Sequence, residues 1–267
     1  MKTIQVIRHM RVCFAVVSSL IASVGLAQNL VTNGDFEAGP EGFGSDYIYA
    51  PGYNSTEGEF TVRSDPQNWN GEFAATPDHT SGTGMMLVVN GATAPTNVVW
   101  EQTVSVSPST DYQFQAWLST AVAGGPAELI VEINGTQVGS SVQAPDASGT
   151  WIPLARSWAS ESATNATIRI YDVVLAVYPN DFYIDDISFQ TEPLFPHLKI
   201  GMRDGIPGLE LYSRLAATNI LEYTSELTMT NTWMLLTNVW ADSSPILILD
   251  HSAKNSPQRY YRVGQLP

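Results

Sequence analysis

After residue 27, no stretch of this chain keeps apolar residues at helical spacing for three turns. Alternation takes its place, which points to extended strands. In Asp111-Tyr-Gln-Phe-Gln-Ala-Trp-Leu-Ser119, one side of an extended chain carries Tyr112, Phe114, Ala116 and Leu118. The other side carries Gln113, Gln115 and Trp117. The expected strands are Met85–Val89, Val98–Val106, Asp111–Ser119, Ala127–Ile133, Thr136–Gly139, Trp151–Trp158, Ala166–Tyr171 and Phe182–Phe189. Among 20 Gly and 16 Pro, the pair Asn134-Gly135 is a two-residue hairpin signal. Such a set fits an all-β fold, a jelly-roll β-sandwich.

The two ends of this set are the key to closure. Asn29–Glu37 reads as a short strand running into an Asn33-Gly34 turn, with Phe36 placed to anchor a core. Pairing with Phe182–Phe189 would close one sandwich. Residues 38–83 are rich in Gly and Pro, and a long irregular entry of that kind is usually functional or pinned by a ligand. Glu192-Pro193 and Phe195-Pro196 interrupt any continuing strand. The expected organisation is a sandwich over 28–191, a linker over 192–198, and a small β-rich domain over 199–267. Its strands are expected at Gly208–Arg214, Asn219–Tyr223, Trp233–Leu236, Ile246–Leu249 and Arg259–Val263.

Residues 1–27 read as a signal peptide. Lys2, Arg8 and Arg11 form a basic region, Val12–Leu26 is an apolar run too short for a comfortable span, and Gly25-Leu26-Ala27 offers small residues for cleavage. The expected location is secreted or cell-surface, with no membrane insertion after cleavage. Cys13 is the one cysteine, so the mature chain must be stable through its core, or core plus metal. The net charge of −14 becomes three units more negative on cleavage. Such a surface repels nucleic acid and anionic membranes and suits calcium, neutral glycans or cationic partners.

Asn33-Gly-Asp-Phe-Glu37 and Ile184-Asp-Asp-Ile-Ser-Phe189 resemble the opening and closing motifs of galactose-binding-like jelly rolls, the fold of carbohydrate-binding modules of families 4/9 and 22. Asp78-His-Thr-Ser-Gly-Thr-Gly84 is similar to the Asp-His-Thr stretch of MAM adhesion domains, whose disulfide cysteines this chain lacks. The resemblance implies a structural calcium where the first strand, a following loop and the last strand converge. The matching positions are Glu37 or Asp35, Asp78, and Asp185 or Asp186, with carbonyls near Gly82–Gly84. Carboxylates packed together repel unless a cation or proton neutralises them, and calcium accepts such oxygen donors. His79 would be a structural residue beside the metal. The tail, through Leu221–Ser225, Trp233 and Gln258–Arg262, resembles a C-terminal β-module of secreted bacterial proteins.

Sugar sites set flat aromatic rings beside amide and carboxylate hydrogen-bonding groups. Gln113, Gln115 and Trp117 form one such strip. Tyr47, Tyr49, Tyr53 and Trp69 could form a rim on the loops, while Trp100 reads as core. No His-Glu-x-x-His helix and no Gly-x-Ser-x-Gly elbow occurs, and no enzymatic activity is expected. The expected function is an exported, non-catalytic module binding polysaccharide or another extracellular matrix polymer, with a structural calcium. The alternative is a cell-surface adhesion or matrix protein binding protein partners.

Overall fold

The computed structural model describes residues 28–53, 56–93, 97–124, 127–175, 180–192, 196–226, 232–254, 256 and 258–266. Residues 1–27, expected as a signal peptide, and residues 193–195 of the expected linker lie outside the described residues. The chain divides into a compact unit over Ala27–Glu192 and a second containing Pro193–Pro267.

Among the described residues, the first unit carries eleven strands: β1 (Ile48–Tyr49), β2 (Glu59–Arg63), β3 (Met86–Asn90), β4 (Val98–Ser105), β5 (Asp111–Thr120), β6 (Glu128–Ile133), β7 (Thr136–Gln137), β8 (Val142–Gln143), β9 (Ile152–Ala159), β10 (Asn165–Asp172) and β11 (Phe182–Thr191). One sheet runs β1-β2-β3-β11-β5-β9, and the other runs β4-β10-β6-β7 with β8 beside β6. Among the described residues, only β1 and β2 pair in parallel. This is an all-β jelly-roll sandwich. Apart from the opening segment, each expected strand of this unit appears, within a residue or two of its bounds, because alternation is a local property that burial on one face reinforces. Asn134 (φ 51°) and Gly135 (φ 79°) are both left-handed, as a tight β6–β7 hairpin requires.

The core lies between the inner faces: Leu87 and Val89 of β3, Phe114, Ala116 and Leu118 of β5, Leu129, Val131 and Ile133 of β6, Ile168 and Ile170 of β10, and Phe182 and Ile184 of β11. Trp100 is part of it, as is Phe36. A second apolar cluster forms where the long 64–84 segment covers the same sheet's outer face. It joins Trp69, Phe73, Met86, Val88, Ala121 and Tyr183.

The opening segment differs from expectation. Asn29–Glu37 is a series of bends and turns, not a strand. It still lies along β11: the Leu30 amide donates to Phe189 O (2.8 Å) and the Ile187 amide to Gly34 O (2.8 Å). Asn29 adds a side-chain bond to the Phe189 amide (2.9 Å). Positive φ at Asn33 (55°) and Phe36 (56°) prevents regular pairing. β1, β2 and β8 were not expected either. β1 and β8 are too short to alternate, and Glu59-Phe-Thr-Val-Arg63 sits inside a Gly/Pro-rich stretch.

The second unit has β12 (His197–Arg203), β13 (Ile206–Tyr212), β14 (Thr218–Thr224), β15 (Met234–Trp240), β16 (Ile246–Leu249) and β17 (Tyr260–Gln265). They form two three-stranded sheets, β12-β13-β16 and β15-β14-β17, around Leu209, Leu211, Leu221 and Tyr261. β12 begins at His197, within the expected linker, and was missed.

Candidate functional site

The Asp-His-Thr motif is joined to the end of the sandwich through a bulge in β11. Asp185 opposes Trp117 and Ser188 opposes Gln115, so Asp186 and Ile187 together face the single Ala116, and β11 carries one extra residue. Asp186 takes φ 50°, the left-handed value a bulge of this kind uses to re-aim side chains. The buried Asp185 Oδ2 accepts from the amides of His79 (2.8 Å) and Thr80 (3.2 Å), and Oδ1 accepts from the Asp186 amide (2.8 Å). The Thr80 hydroxyl donates to Asp186 Oδ1 at 2.7 Å. His79 Nδ1 meets Asp186 Oδ2 at 2.6 Å. The His79 ring stacks on Trp117 (3.9 Å, 17°) and meets Trp151 edge-on (5.8 Å). Trp151 donates to Pro77 O (3.1 Å). Burial, with the neighbouring Asp186 charge second, pushes the Asp185 carboxyl up to about 7.

Asp78 closes its own loop, accepting from the Ser81 amide (2.7 Å) and the Gly84 amide (2.6 Å). Glu37 reaches the same loop and accepts from the Met85 amide (2.8 Å). Asp35 stays exposed, 3.5 Å from the Glu37 amide.

The candidates for one cation site, Glu37 or Asp35, Asp78, and Asp185 or Asp186, therefore separate into sets. Amides, a hydroxyl and an imidazole meet the oxygens of Asp185 and Asp186, and amides meet both oxygens of Asp78 as well. Among the described residues, no group of three or more such side chains is placed to hold a metal ion. Glu37 and Asp78 do come together at Gly84. A β-carbon there would lie 2.0 Å from Glu37 Oε1 and 3.1 Å from Asp78 Oδ2.

The expected sugar strip is also corrected. Gln113, Gln115 and Trp117 share a face, as the β5 register requires. Yet Gln113 is 1% exposed, Gln115 is buried as well, and both amide atoms of Gln113 are buried without a partner. A sugar hydroxyl cannot reach them in this arrangement. Trp117 is partly exposed, but His79 covers one ring face. Trp69 and Tyr47 are not rim residues. Trp69 is fully buried, with its indole donating to Ala50 O (2.7 Å). Tyr47 is buried, with its hydroxyl accepting from the Ala92 amide (3.1 Å).

The other two loop tyrosines are the exposed ones: Tyr49 at 43% and Tyr53 at 75%. The backbone between them is tied down at Ala50 and Pro51. The Ala50 amide donates to Phe60 O (2.8 Å), Arg63 donates to Pro51 O (2.8 Å), and Trp69 holds Ala50 O. Tyr49 leans on Phe60 (5.5 Å, 49°). A β-carbon on Gly71 would lie 3.9 Å from the Tyr53 hydroxyl, and Gln67, Asn68 and Glu72 are exposed on that neighbouring loop. The sequence named all four aromatics, but only the packing of the 64–84 segment separates buried from exposed.

No protein-family model matches this chain, and no curated protein matches it. Solved structures of similar shape include carbohydrate-binding modules. One is the CBM22-1 xylan-binding domain from Paenibacillus barcinonensis Xyn10C, at 14% identity and TM-score 0.36, covering 56% of this chain and 92% of that one. Another is Family 16 Carbohydrate Binding Module-2, at 20% identity and TM-score 0.35, covering 60% and 99%. A third is the CBM6cm-2 module from Cellvibrio mixtus lichenase 5A in complex with cellotriose, at 15% identity and TM-score 0.32, covering 43% and 82%.

Proposed function

We propose that the first unit is a non-catalytic carbohydrate-binding module of an exported protein, with its platform at the tyrosine edge. The observation that carries this reading is the pair Tyr49 and Tyr53, exposed on a backbone tethered through Ala50 and Pro51. Tyrosine presents a flat apolar face and a polar tip, which suits the C–H face and hydroxyls of a sugar ring. A tethered platform loses little freedom on binding, so less of the stacking energy is spent on ordering. Gln67, Asn68 and Glu72 supply hydrogen-bonding groups beside it.

Calcium enters the proposal as a stabilising ion at Glu37 and Asp78, the carboxylates that flank Gly84. It would supply positive charge to two like-charged groups. A higher melting temperature with calcium than with chelator supports that ion, and equal temperatures remove it.

Retention of the purified protein on a panel of insoluble polysaccharides tests the platform. Wild type is expected to be retained on at least one polymer class, with Tyr53→Ala and Tyr49→Ala released at unchanged melting temperature. Stacking on one ring is worth about 0.5–1.5 kcal/mol, so each substitution should weaken binding by roughly threefold to tenfold. Retention unaffected by both substitutions would sink the platform. No retention of folded wild type on any polymer would favour a protein-binding adhesion role.

A further inference from the structure

Arg63 stands beside the tyrosine edge without a counter-ion. It is the last residue of β2, and its Nη2 donates to Pro51 O at 2.8 Å in a contact open to solvent. Pro51 lies between Tyr49 and Tyr53 in the chain. Among the described residues, this is the guanidinium's one hydrogen bond, and its Nε is buried with no partner. The side chain is half-buried, so its position is fixed while part of it still meets water.

Carboxylates are plentiful. The chain holds 26 Asp and Glu against 12 Lys and Arg, and all 26 acids are among the described residues. Yet none comes within ion-pair distance of Arg63, Asp65 and Glu72 of the adjoining segment included. Asp65 is engaged on its own loop, where it accepts from the Gln67 amide (3.1 Å) and Asn68 Nδ2 (2.6 Å). Arg169, on the other sheet, shows the ordinary arrangement, with Glu101 and Glu132 beside it. Arg156 also lacks a carboxylate, but its two terminal nitrogens donate to Ala155 O and Ser140 O. It packs on Gly139, where a β-carbon would lie 2.6 Å from Arg156 Cδ. A half-buried cation with no counter-charge burdens the fold, and a negative group arriving from outside would offset that burden.

We infer that the tyrosine edge selects an acidic sugar, with Arg63 reading its carboxylate. This rests on the carbohydrate reading of Tyr49 and Tyr53. A hexuronic acid keeps the C–H face that stacks on tyrosine and carries a planar carboxylate in place of a hydroxymethyl group. The planar guanidinium fork matches a carboxylate, and its bonds to a charged acceptor are stronger than those to a hydroxyl. The tie to Pro51 O places that fork two residues along the chain from each tyrosine, so stacking and ion pairing act on one short oligosaccharide. The net charge of −14 opposes an anion at long range. Physiological salt screens that repulsion beyond roughly 8 Å, and the groups in contact then decide.

Calorimetric titration of the purified protein in calcium-free buffer, with trigalacturonate and with its fully methyl-esterified form, tests this. The two ligands share their ring stereochemistry and differ in charge. Wild type is expected to bind the acid about tenfold more tightly, the lower end for a hydrogen bond to a charged group. Added salt should shrink that ratio. Arg63→Gln keeps a donor for Pro51 O and should bring the ratio to about one. Arg63→Lys keeps the charge without the fork and should leave about threefold. A wild-type ratio of about one, with Tyr53→Ala weakening both ligands, would overturn the role of Arg63 and leave the platform standing. A preference for the acid that survives Arg63→Gln would overturn it equally. Binding of neither form also overturns it, and retention on the polysaccharide panel then shows whether the platform fails with it.

Discussion

Gly34 and Ile187 touch backbone to backbone. A β-carbon on Gly34 would lie 1.9 Å from the Ile187 carbonyl oxygen, while the Ile187 amide donates to Gly34 O at 2.8 Å. The opening segment thus reaches the bulged part of β11 closely enough to exclude every side chain at this position. Gly34→Ala must push one backbone away from the other. The expected cost is about 3 kcal/mol, the upper end for overpacking, because backbone cannot rotate aside as a side chain can. Urea denaturation of the folded variant measures it, and a loss under 1 kcal/mol would mean the two segments separate freely.

Asp185→Ala removes the acceptor for the His79 and Thr80 amides in a buried place. Unsatisfied buried donors cost about 1–3 kcal/mol each when water cannot replace the partner. A loss of about 3 kcal/mol is expected, together with weaker stacking of His79 on Trp117. Denaturant midpoints and tryptophan fluorescence give both readouts. An unchanged spectrum would show that the Trp117 contact stands without Asp185.

Trp69 and Tyr53 should behave oppositely. Trp69→Ala empties a fully buried site and is expected to cost about 3–5 kcal/mol. Trp69→Phe keeps most of the packing but leaves Ala50 O without its indole donor, for about 1 kcal/mol. Tyr53→Ala should lie within about 0.5 kcal/mol of wild type, as an exposed position does. Parallel chemical denaturation of the three variants checks the order.

Asp250 ties the stability of the second unit to pH. Burial by itself would raise its carboxyl, but Ser252, Arg259 and Tyr261 outweigh burial and hold it below the ordinary 3.8. Arg259 Nη1 stands 2.7 Å and the Tyr261 hydroxyl 2.9 Å from Oδ2. With the folded value depressed, this stability is present above 3.8 and is lost as the pH falls through the folded value. Asp250→Ala strands a partly buried guanidinium, and about 3 kcal/mol is expected. Hydrogen exchange of β14 and β17 at pH 7 should quicken about 100-fold in the variant, while strands of the first unit stay unchanged.

Much of the strand layout was legible in the sequence, since side-chain alternation and turn chemistry act over a few residues. Asn134-Gly135 makes its hairpin, β5 presents Gln113, Gln115 and Trp117 on one face, and Phe36 and Trp100 enter the core as the sequence indicated. Tertiary structure alone decided the order of the sheets and the pairing of a turn-rich opening segment with β11. It also decided that Tyr47 and Trp69 are buried while Tyr49 and Tyr53 are exposed. Contacts such as His79 with Asp186, 107 residues apart, divide carboxylates that looked like one cluster. The physical reason is range. Periodicity tells a side chain which face it occupies, but only the rest of the fold determines what covers that face and which donors reach it.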